Sequence, residues 1–361
     1  MSTPSLADLA AVQAALAPQQ SLEGVSLAGL ALDGLNAVGC HFVDVDFSGA
    51  ALSAALLGGS VFERCNFTGA KLDGAELTGT QWQSCSLQGA QLMRSTGERI
   101  SMAACVLSRA NASDARWVHA LFDACDFGEA QLTGANLGHS DAHRCTFAGT
   151  DFAKAALVRF TAMDTDLRTA RFEGCDMTQA YLVRSDFSGQ RLPGCTLLMT
   201  QFNGAVMSGI DLAQAVLTQT QFQKARLDGA VLRGAQGQYA RFDGAQLTRA
   251  ALDQCQFEQA SFAGAQCVGT SFEGLQAPMA NFAQADCTGA RFVGAVLRDA
   301  DFSHARLAQA DCTRADFRGA NLHRIIEDGT RWTDSERKGA RGTDAALARA
   351  EDWQAPPSLV R

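Results

Sequence analysis

Twelve cysteines give this sequence its most obvious capacity for chemistry, because thiolates bind metals and exchange electrons. The longest regular series has a spacing of twenty residues and comprises Cys65, Cys85, Cys105, Cys125 and Cys145. A metal or redox ladder is one interpretation of that spacing. Every cysteine, however, occupies a position where Ala, Ser, Leu or Phe otherwise recurs, and a thiol packs as a small apolar group. We therefore predict that the cysteines fill the core and that no metal or cofactor is bound.

A second series with the same spacing is basic and consists of Arg99, His119, His139 and Arg159. If the chain returns to the same place every twenty residues, these side chains form a basic stripe along one corner, spanning about 15 Å. We interpret the stripe as a candidate protein contact, with a plain solvated edge as the alternative. His139 and His143 are four apart, a spacing that shares one face only on a helix, so we predict no metal site there.

Sequence motifs typical of enzymes are absent from the chain. It contains no glycine-rich phosphate loop, no His-Glu-x-x-His and no Gly-x-Ser-x-Gly. The remaining interpretation is a protein that acts by binding, and we predict that it is not an enzyme.

These residues are positioned by a five-residue register that runs from Leu22 to Leu322. Of its 61 central positions, 51 are Leu, Phe, Met or Trp, and 51 of the residues two places earlier are Ala, Cys, Ser or Thr. The clearest series has a period of twenty and comprises Phe202, Phe222, Phe242, Phe262, Phe282 and Phe302. Four pentapeptides therefore make one coil of a solenoid, and each coil places a large side chain on that of the previous coil.

Units such as Ala135-Asn136-Leu137, Ala300-Asp301-Phe302 and Ala320-Asn321-Leu322 resemble those of the pentapeptide-repeat proteins. The resemblance covers about five-sixths of the chain. It implies an all-β fold, a right-handed quadrilateral β-helix with one pentapeptide on each side. The twenty-residue period of the phenylalanines supports four sides independently of the family.

The pattern divides the chain into three parts. We expect residues 1–20 to form an N-terminal helical cap that starts with a capping box of Ser5 and Asp8, and residues 21–322 to form the β-helix. The repeat decays in residues 323–361, which we predict to be a C-terminal cap and tail with a short helix from Thr343-Asp344 to about Trp353. A homodimer through an end cap stays open as an alternative.

Irregular positions interrupt the side-chain pattern. Central residues are small at Gly97, Ala112, Ala142, Ala162, Gly237 and Ala277. Ile100 and Phe160 instead place bulk where a small residue belongs, which predicts a local exchange of large and small side chains. We expect bulges or loops at residues 236–239 and at 277–278.

Composition and charge exclude several classes of protein. The net charge is −8, and residues 1–63 hold six acids but no Lys or Arg. A basic groove for nucleic acid is therefore not predicted. No apolar run is long enough for a membrane helix, and the N-terminus does not have the pattern of a secretory signal. Cysteines without disulfide-like spacing fit a reducing compartment, so we predict a cytoplasmic protein.

We interpret the chain as a rigid structural or adaptor protein whose partners are proteins. Candidate contacts besides the stripe are the outward apolar residues Leu56, Val61 and Leu121. The ending, Gly329 to Trp332 and then Thr343 to Trp353, is similar to that of long family members associated with bacterial type VI secretion clusters. This similarity implies a secretion-machine component, an effector or a chaperone as partner. The family resemblance also implies an alternative, in which an acidic rod mimics DNA and protects or inhibits a type II topoisomerase such as gyrase.

Overall fold

The computed structural model describes residues 6–16 and 21–353. The chain divides into two compact units, Met1–Phe202 and Asn203–Arg361, and each is described by itself. Both units are built from the same coil of four short extended segments joined by turns. An extended residue, its inward neighbour and a tight turn recur every five residues, as the alternation of large and small side chains predicts.

One side of the first unit is a parallel sheet whose strands pair in sequence order. Partners lie twenty residues apart, as in the pairing of Phe42 with Phe62. The strands are β1 Ser21–Glu23, β2 His41–Val43, β3 Val61–Glu63, β4 Gln81–Gln83, β5 Ser101–Ala103, β6 Leu121–Asp123, β7 Asp141–His143 and β8 Thr161–Ala162.

The other three sides of each coil are single parallel bridges with the same separation. In the first unit they begin at Ser26, Ala31 and Asn36, whose partners lie twenty residues further on. The second unit repeats the arrangement with bridges on all four sides: Gln221 to Arg241, Arg226 to Gln246, Val231 to Ala251, and Gln236 to Gln256. The predicted fold class, a quadrilateral β-helix, is confirmed.

The large central residues fill the interior in columns. From Phe222 to Phe302 the rings stack at centroid distances of 4.9, 4.8, 4.6 and 4.7 Å, and each successive pair is within 8° of parallel. Phe202, the last residue of the first unit, is fully buried and meets Phe187 edge to face at 5.4 Å. Each such ring contributes roughly 1.5–3 kcal/mol by its burial.

The turns between sides place one residue of each pentapeptide in the left-handed backbone region. Gly74, at φ 66°, adopts it without a Cβ penalty, whereas His119 adopts it at φ 59°. Many corners carry a side chain in place of glycine, so the chain accepts about 1–2 kcal/mol of backbone cost at each of them. These corners are the positions at which the coil presents long polar side chains to solvent.

The irregular positions keep the regular backbone, so the predicted bulges at residues 236–239 and 277–278 are wrong. Gly237 N still donates to Gln256 O at 2.8 Å, and Ala277 N to Val296 O at 2.9 Å. The backbone does not need to bulge, because neighbouring side chains fill the space that a small residue leaves. A Cβ added at Gly237 would overlap Phe257 of the next coil.

The predicted exchange of large and small side chains occurs between neighbouring inward positions. A Cβ added at Gly97 would overlap the Cδ1 and Cγ1 atoms of Ile100, so the isoleucine occupies the volume that a central leucine normally fills. Phe160 and Ala162, a large and a small residue at neighbouring inward positions, are both buried as well. The filled volume of the core therefore stays the same, although a different position carries the large side chain.

A short helix, α1 Leu9–Ala15, stands at the start of the described chain. Its N-cap is Asp8, whose carboxylate accepts from Ala11 N at 2.9 Å; Ser5, the expected start of a capping box, lies outside the described residues. Val12 is fully buried. Gln13 exchanges two hydrogen bonds with the backbone of Asn36, at 2.7 and 3.0 Å, so the helix is fixed to the first coils by both packing and polar contacts.

The pentapeptide backbone continues beyond Leu322, where the side-chain pattern decays. Leu322 N donates to Arg341 O at 2.7 Å, and Asn321 still pairs with Arg341. The coil persists because its hydrogen bonds are between backbone groups. The predicted C-terminal helix is present as α2 Ala345–Glu351, with Asp344 as its N-cap. Within the described residues, no helix is long and apolar enough to span a membrane.

Candidate functional site

All twelve cysteines are buried and none is in a disulfide, as the packing interpretation predicts. In the regular series each thiol lies near a carbonyl of the preceding coil, with 3.4 Å from Cys65 Sγ to Phe42 O and 3.3 Å from Cys85 Sγ to Phe62 O. Burial raises the pKa of Cys255 to about 12, so that thiol stays protonated at neutral pH. In that protonated, buried state Cys255 is neither a metal ligand nor a nucleophile.

The four basic residues of the stripe occupy equivalent corners of successive coils. Arg99, His119, His139 and Arg159 have φ values of 58°, 59°, 58° and 56°, and all four are exposed. The backbone amide of each donates to a carbonyl of the following coil at 2.8 to 3.0 Å. The imidazoles of His119 and His139 lie 4.9 Å apart between centroids. The sequence therefore predicted this column in both membership and register.

Acidic side chains compensate this column less than they do other arginines of the first unit. Arg64 contacts Asp44 of the adjacent coil at 2.7 Å and Arg109 contacts Glu129 at 3.0 Å. The hydrogen bond from Arg64 holds the pKa of Asp44 below its ordinary value.

Within the stripe, the acid that Arg99 approaches is its own neighbour Glu98, at 3.4 Å, and Arg159 donates to the neutral amide of Gln179 at 2.7 Å. Across residues 21–353, neither stripe imidazole has a hydrogen-bond partner. The corner consequently keeps donors available for an external partner.

The predicted apolar contacts differ in accessibility. Leu56 and Leu121 are 45% and 44% exposed, respectively, whereas Val61 is only partly accessible. Leu121 follows His119 by two residues and opens strand β6, so it flanks the stripe. Val106 is also exposed, at 39%. The stripe thus has an apolar neighbour on the adjoining side of the coil.

A cluster at the end of the second unit was missed by the sequence reasoning, which treated the histidines as scattered. His304 Nε2 and His323 Nε2 each lie 3.2 Å from a different carboxylate oxygen of Glu351 on α2. Arg324 reaches Glu351 at 3.2 Å and Asp352 at 2.8 Å. The ligand atoms of the two histidines and Glu351 lie within 4.8 Å of one another.

Two contacts of this cluster favour a latch over a metal centre. Asp344 N donates to His323 Nδ1 at 3.1 Å, which places the proton of the neutral ring on Nε2 and directs that proton at Glu351. A metal-binding histidine would instead need a lone pair on Nε2 and would donate from Nδ1. Arg324 also neutralises the carboxylate. None of the residues of α2 is buried, so these polar contacts hold the helix against the coil. We call His304, His323, Arg324 and Glu351 the α2 latch.

The latch predicts acid sensitivity of α2. The hydrogen bond from His323 lowers the pKa of Glu351 from its ordinary value of 4.5. A carboxyl whose pKa is lower in the folded state stabilises that state at pH values above its unfolded-state pKa. This stabilisation is lost as the pH falls through the folded-state pKa. We expect faster hydrogen exchange of the α2 amides, corrected for intrinsic rates, below pH 4.5 and in Glu351→Gln at neutral pH. Equal protection in Glu351→Gln and the parent chain would contradict the latch.

The geometry defines a class of protein, a four-sided parallel β-solenoid that exposes side chains in columns. The family profile described as Pentapeptide repeats matches this chain over residues 46–81, 60–96, 101–138, 125–161, 163–197, 200–234, 240–274, 280–311 and 295–325. The chain belongs to the pentapeptide-repeat family.

Solved structures similar to this chain include those of HetL, QnrB1 and Rfr23. HetL, involved in heterocyst differentiation regulation in Nostoc sp., is 24% identical over 63% of this chain and 91% of its own, with a TM-score of 0.33. QnrB1, a plasmid-mediated fluoroquinolone resistance protein, is 16% identical over 65% and 96%, with a TM-score of 0.28. Rfr23 from Cyanothece is 26% identical over 28% and 60%, with a TM-score of 0.19. No curated protein matches the chain significantly.

Proposed function

We propose that this chain is a non-enzymatic scaffold that binds an acidic protein surface through the basic stripe. The observation that carries the proposal is the column of exposed bases whose two central imidazoles have no partner within residues 21–353. Several other arginines of the unit are paired with acids of neighbouring coils, as Arg64 is with Asp44. The stripe is therefore a place where binding an acidic partner does not require breaking an ion pair between coils.

The coil supports recognition because it fixes the spacing of the bases. Successive coils lie about 4.8 Å apart, so an acidic partner with carboxylates along a strand or helix meets several bases at once. Complementary charge mainly raises the association rate and selects the partner. Leu121 beside the stripe adds apolar area, which is 44% exposed before binding. A secretion-machine component, an effector or a chaperone is the class of partner that we propose.

Mimicry of DNA by an acidic surface is less well supported by the charges. A phosphate mimic needs columns of uncompensated acids, yet Arg168 contacts both Asp166 and Asp186, at 2.7 and 3.6 Å. In the second unit, Arg298 and Arg318 both contact Asp316. Paired in this way, the acidic positions do not form a continuous polyanion. Modulation of gyrase stays the alternative that the experiment below decides.

The test compares charge reversal of the stripe with a matched control. The stripe variant carries Arg99→Glu, His119→Glu, His139→Glu and Arg159→Glu. The control carries Lys71→Glu, Arg94→Glu and Lys154→Glu, which changes the formal net charge equally when histidine is counted as neutral. These control residues lie on other columns of the first unit. Each purified chain is used to recover partners from native lysate, and binding of a recovered partner is measured as a function of salt.

We expect the stripe variant to lose at least tenfold in affinity and the control to lose little. The parent affinity should also fall as salt rises, since exposed charges are screened over about 10 Å at 0.1 M. Equal binding by both variants would refute the stripe. Inhibition or protection of gyrase in a supercoiling assay that survives stripe reversal would establish the alternative function instead.

A further inference from the structure

An open groove on one face of the second unit is almost free of net charge. It has a volume of about 510 Å³ and is lined by Thr218, Gln236, Gln238, Gln256, Glu258, Gln276, Pro278, Val296 and Arg298. Ligand pockets of proteins commonly have volumes of roughly 300–1,000 Å³. The groove therefore has the size of a small-ligand site, on a coil whose interior is filled.

Amide side chains dominate this groove and are arranged in a column. Gln236, Gln256 and Gln276 occupy the same position of three successive coils, joined by the bridges of Gln256 to Gln236 and to Gln276. All three are exposed. Gln276 donates to Gly274 O at 3.1 Å, whereas the amides of Gln236 and Gln256 make no hydrogen bond within the described part of the chain. Each free amide offers two donors and one acceptor.

The two charged residues of the groove already have hydrogen-bond partners. Glu258 accepts from the amide of Gln238 at 3.3 Å. Arg298 donates to the carboxylate of Asp316 at 2.6 Å. An anionic ligand would have to break the ion pair of Arg298 with Asp316. A cationic ligand would have to displace the amide of Gln238 from Glu258, and either exchange costs binding free energy. The groove consequently favours a neutral ligand.

Backbone pairing excludes the commonest way of binding a peptide at a sheet. Gln236 N donates to Ala215 O and Gln256 N to Ala235 O, each at 2.9 Å, so the backbone amides of this face are used between coils. A peptide strand cannot add to a face whose hydrogen-bonding groups are occupied. Recognition must come from the amide side chains, which suit a ligand that carries many hydroxyl groups.

An exposed aromatic residue next to the groove residue Gln238 in the chain suits the same ligand. Tyr239 follows Gln238 at the corner of the coil, at φ 60°, and is 42% exposed. An aromatic ring offers an apolar face together with a polar hydroxyl, which matches the C–H faces and hydroxyls of a sugar. Pro278 and Val296 add apolar surface within the groove. We infer that this glutamine groove binds a neutral oligosaccharide.

The test measures binding of cellohexaose, chitohexaose and maltohexaose to the full chain by isothermal titration calorimetry, with polygalacturonate as the acidic comparison. The groove variant is Gln236→Ala with Gln256→Ala. Its matched control is Gln246→Ala with Gln266→Ala, two exposed glutamines that pair in the same way on a different side of the coil. Circular dichroism checks that each variant keeps its fold.

We expect at least one neutral hexasaccharide to bind, with a loss of at least tenfold in affinity in the groove variant and less than threefold in the control. Tyr239→Ala should weaken the same ligand independently. Three results would overturn the inference: no binding of any neutral hexasaccharide up to about 10 mM, equal losses in the two glutamine variants, or tighter binding of polygalacturonate. None of them depends on the basic stripe of the first unit.

Discussion

Phe262→Ala is expected to lower the free energy of unfolding of the second unit by about 3–5 kcal/mol. The ring of Phe262 is stacked between Phe242 and Phe282, at 4.8 and 4.6 Å, and meets Phe272 edge to face at 5.8 Å. Alanine would remove all three contacts, and the coil-to-coil hydrogen bonds would keep the cavity from collapsing. Urea unfolding followed by circular dichroism measures the loss.

Two further variants make this result specific to the column. Phe262→Leu keeps most of the buried volume and should cost clearly less than alanine. Val268→Ala alters an outward residue that is 36% exposed, so we expect a change within about 0.5 kcal/mol. A loss below about 1 kcal/mol for Phe262→Ala would show that the stacked rings do not determine stability. Because each coil contacts only its neighbours, hydrogen exchange should also report the loss first in adjacent coils.

The second large effect concerns the exchange of Gly97 and Ile100. Gly97→Leu alone forces a second large side chain into the volume of Ile100 and should cost about 1–3 kcal/mol. Ile100→Ala alone leaves both inward positions small and should cost about 2–5 kcal/mol. Combined, the two changes restore the ordinary pattern, with a large residue at the central position 97 and a small residue at the inward position 100. Most of the lost free energy of unfolding should therefore return.

The measurement is a double-mutant cycle on the free energy of unfolding. We expect a coupling of about 0.5–3 kcal/mol that favours the double variant, because the two side chains share one volume. Gly237→Leu provides the comparison, since Phe257 of the next coil fills the space at Gly237. Additive losses for Gly97→Leu and Ile100→Ala would contradict the volume exchange.

The repeat could be predicted from sequence because one physical constraint acts at every fifth residue. A narrow interior needs a large side chain beside a small one, and this requirement made the phenylalanine column and the four sides visible. The same reasoning placed bulges at residues 236–239 and 277–278, where the structure has none. Phe257, twenty residues after Gly237, supplies the missing volume, so the compensating residue lies outside the local pattern that the prediction considered.

The candidate sites could be predicted only where their residues follow the twenty-residue period. The basic stripe follows the twenty-residue period, and its corner could be assigned before the structure was known. The α2 latch could not, because Glu351 lies on a helix outside the register and reaches His304 and His323 through its docking. The glutamine column does carry a sequence signal, the spacing of Gln236, Gln256 and Gln276. The sequence does not, however, indicate that this glutamine column lines a groove.

The buried thiols also allow local unfolding of the coils to be measured in the unmodified chain. They extend from Cys40 in the first unit to Cys312 in the second, and all twelve are shielded in the closed coil. A thiol-alkylating reagent reaches each sulfur only when the coil around it opens, so pulse labelling with peptide mass analysis would give opening free energies site by site. The residues that fill the core thus provide native probes for mapping which coils unravel first, without introduced labels.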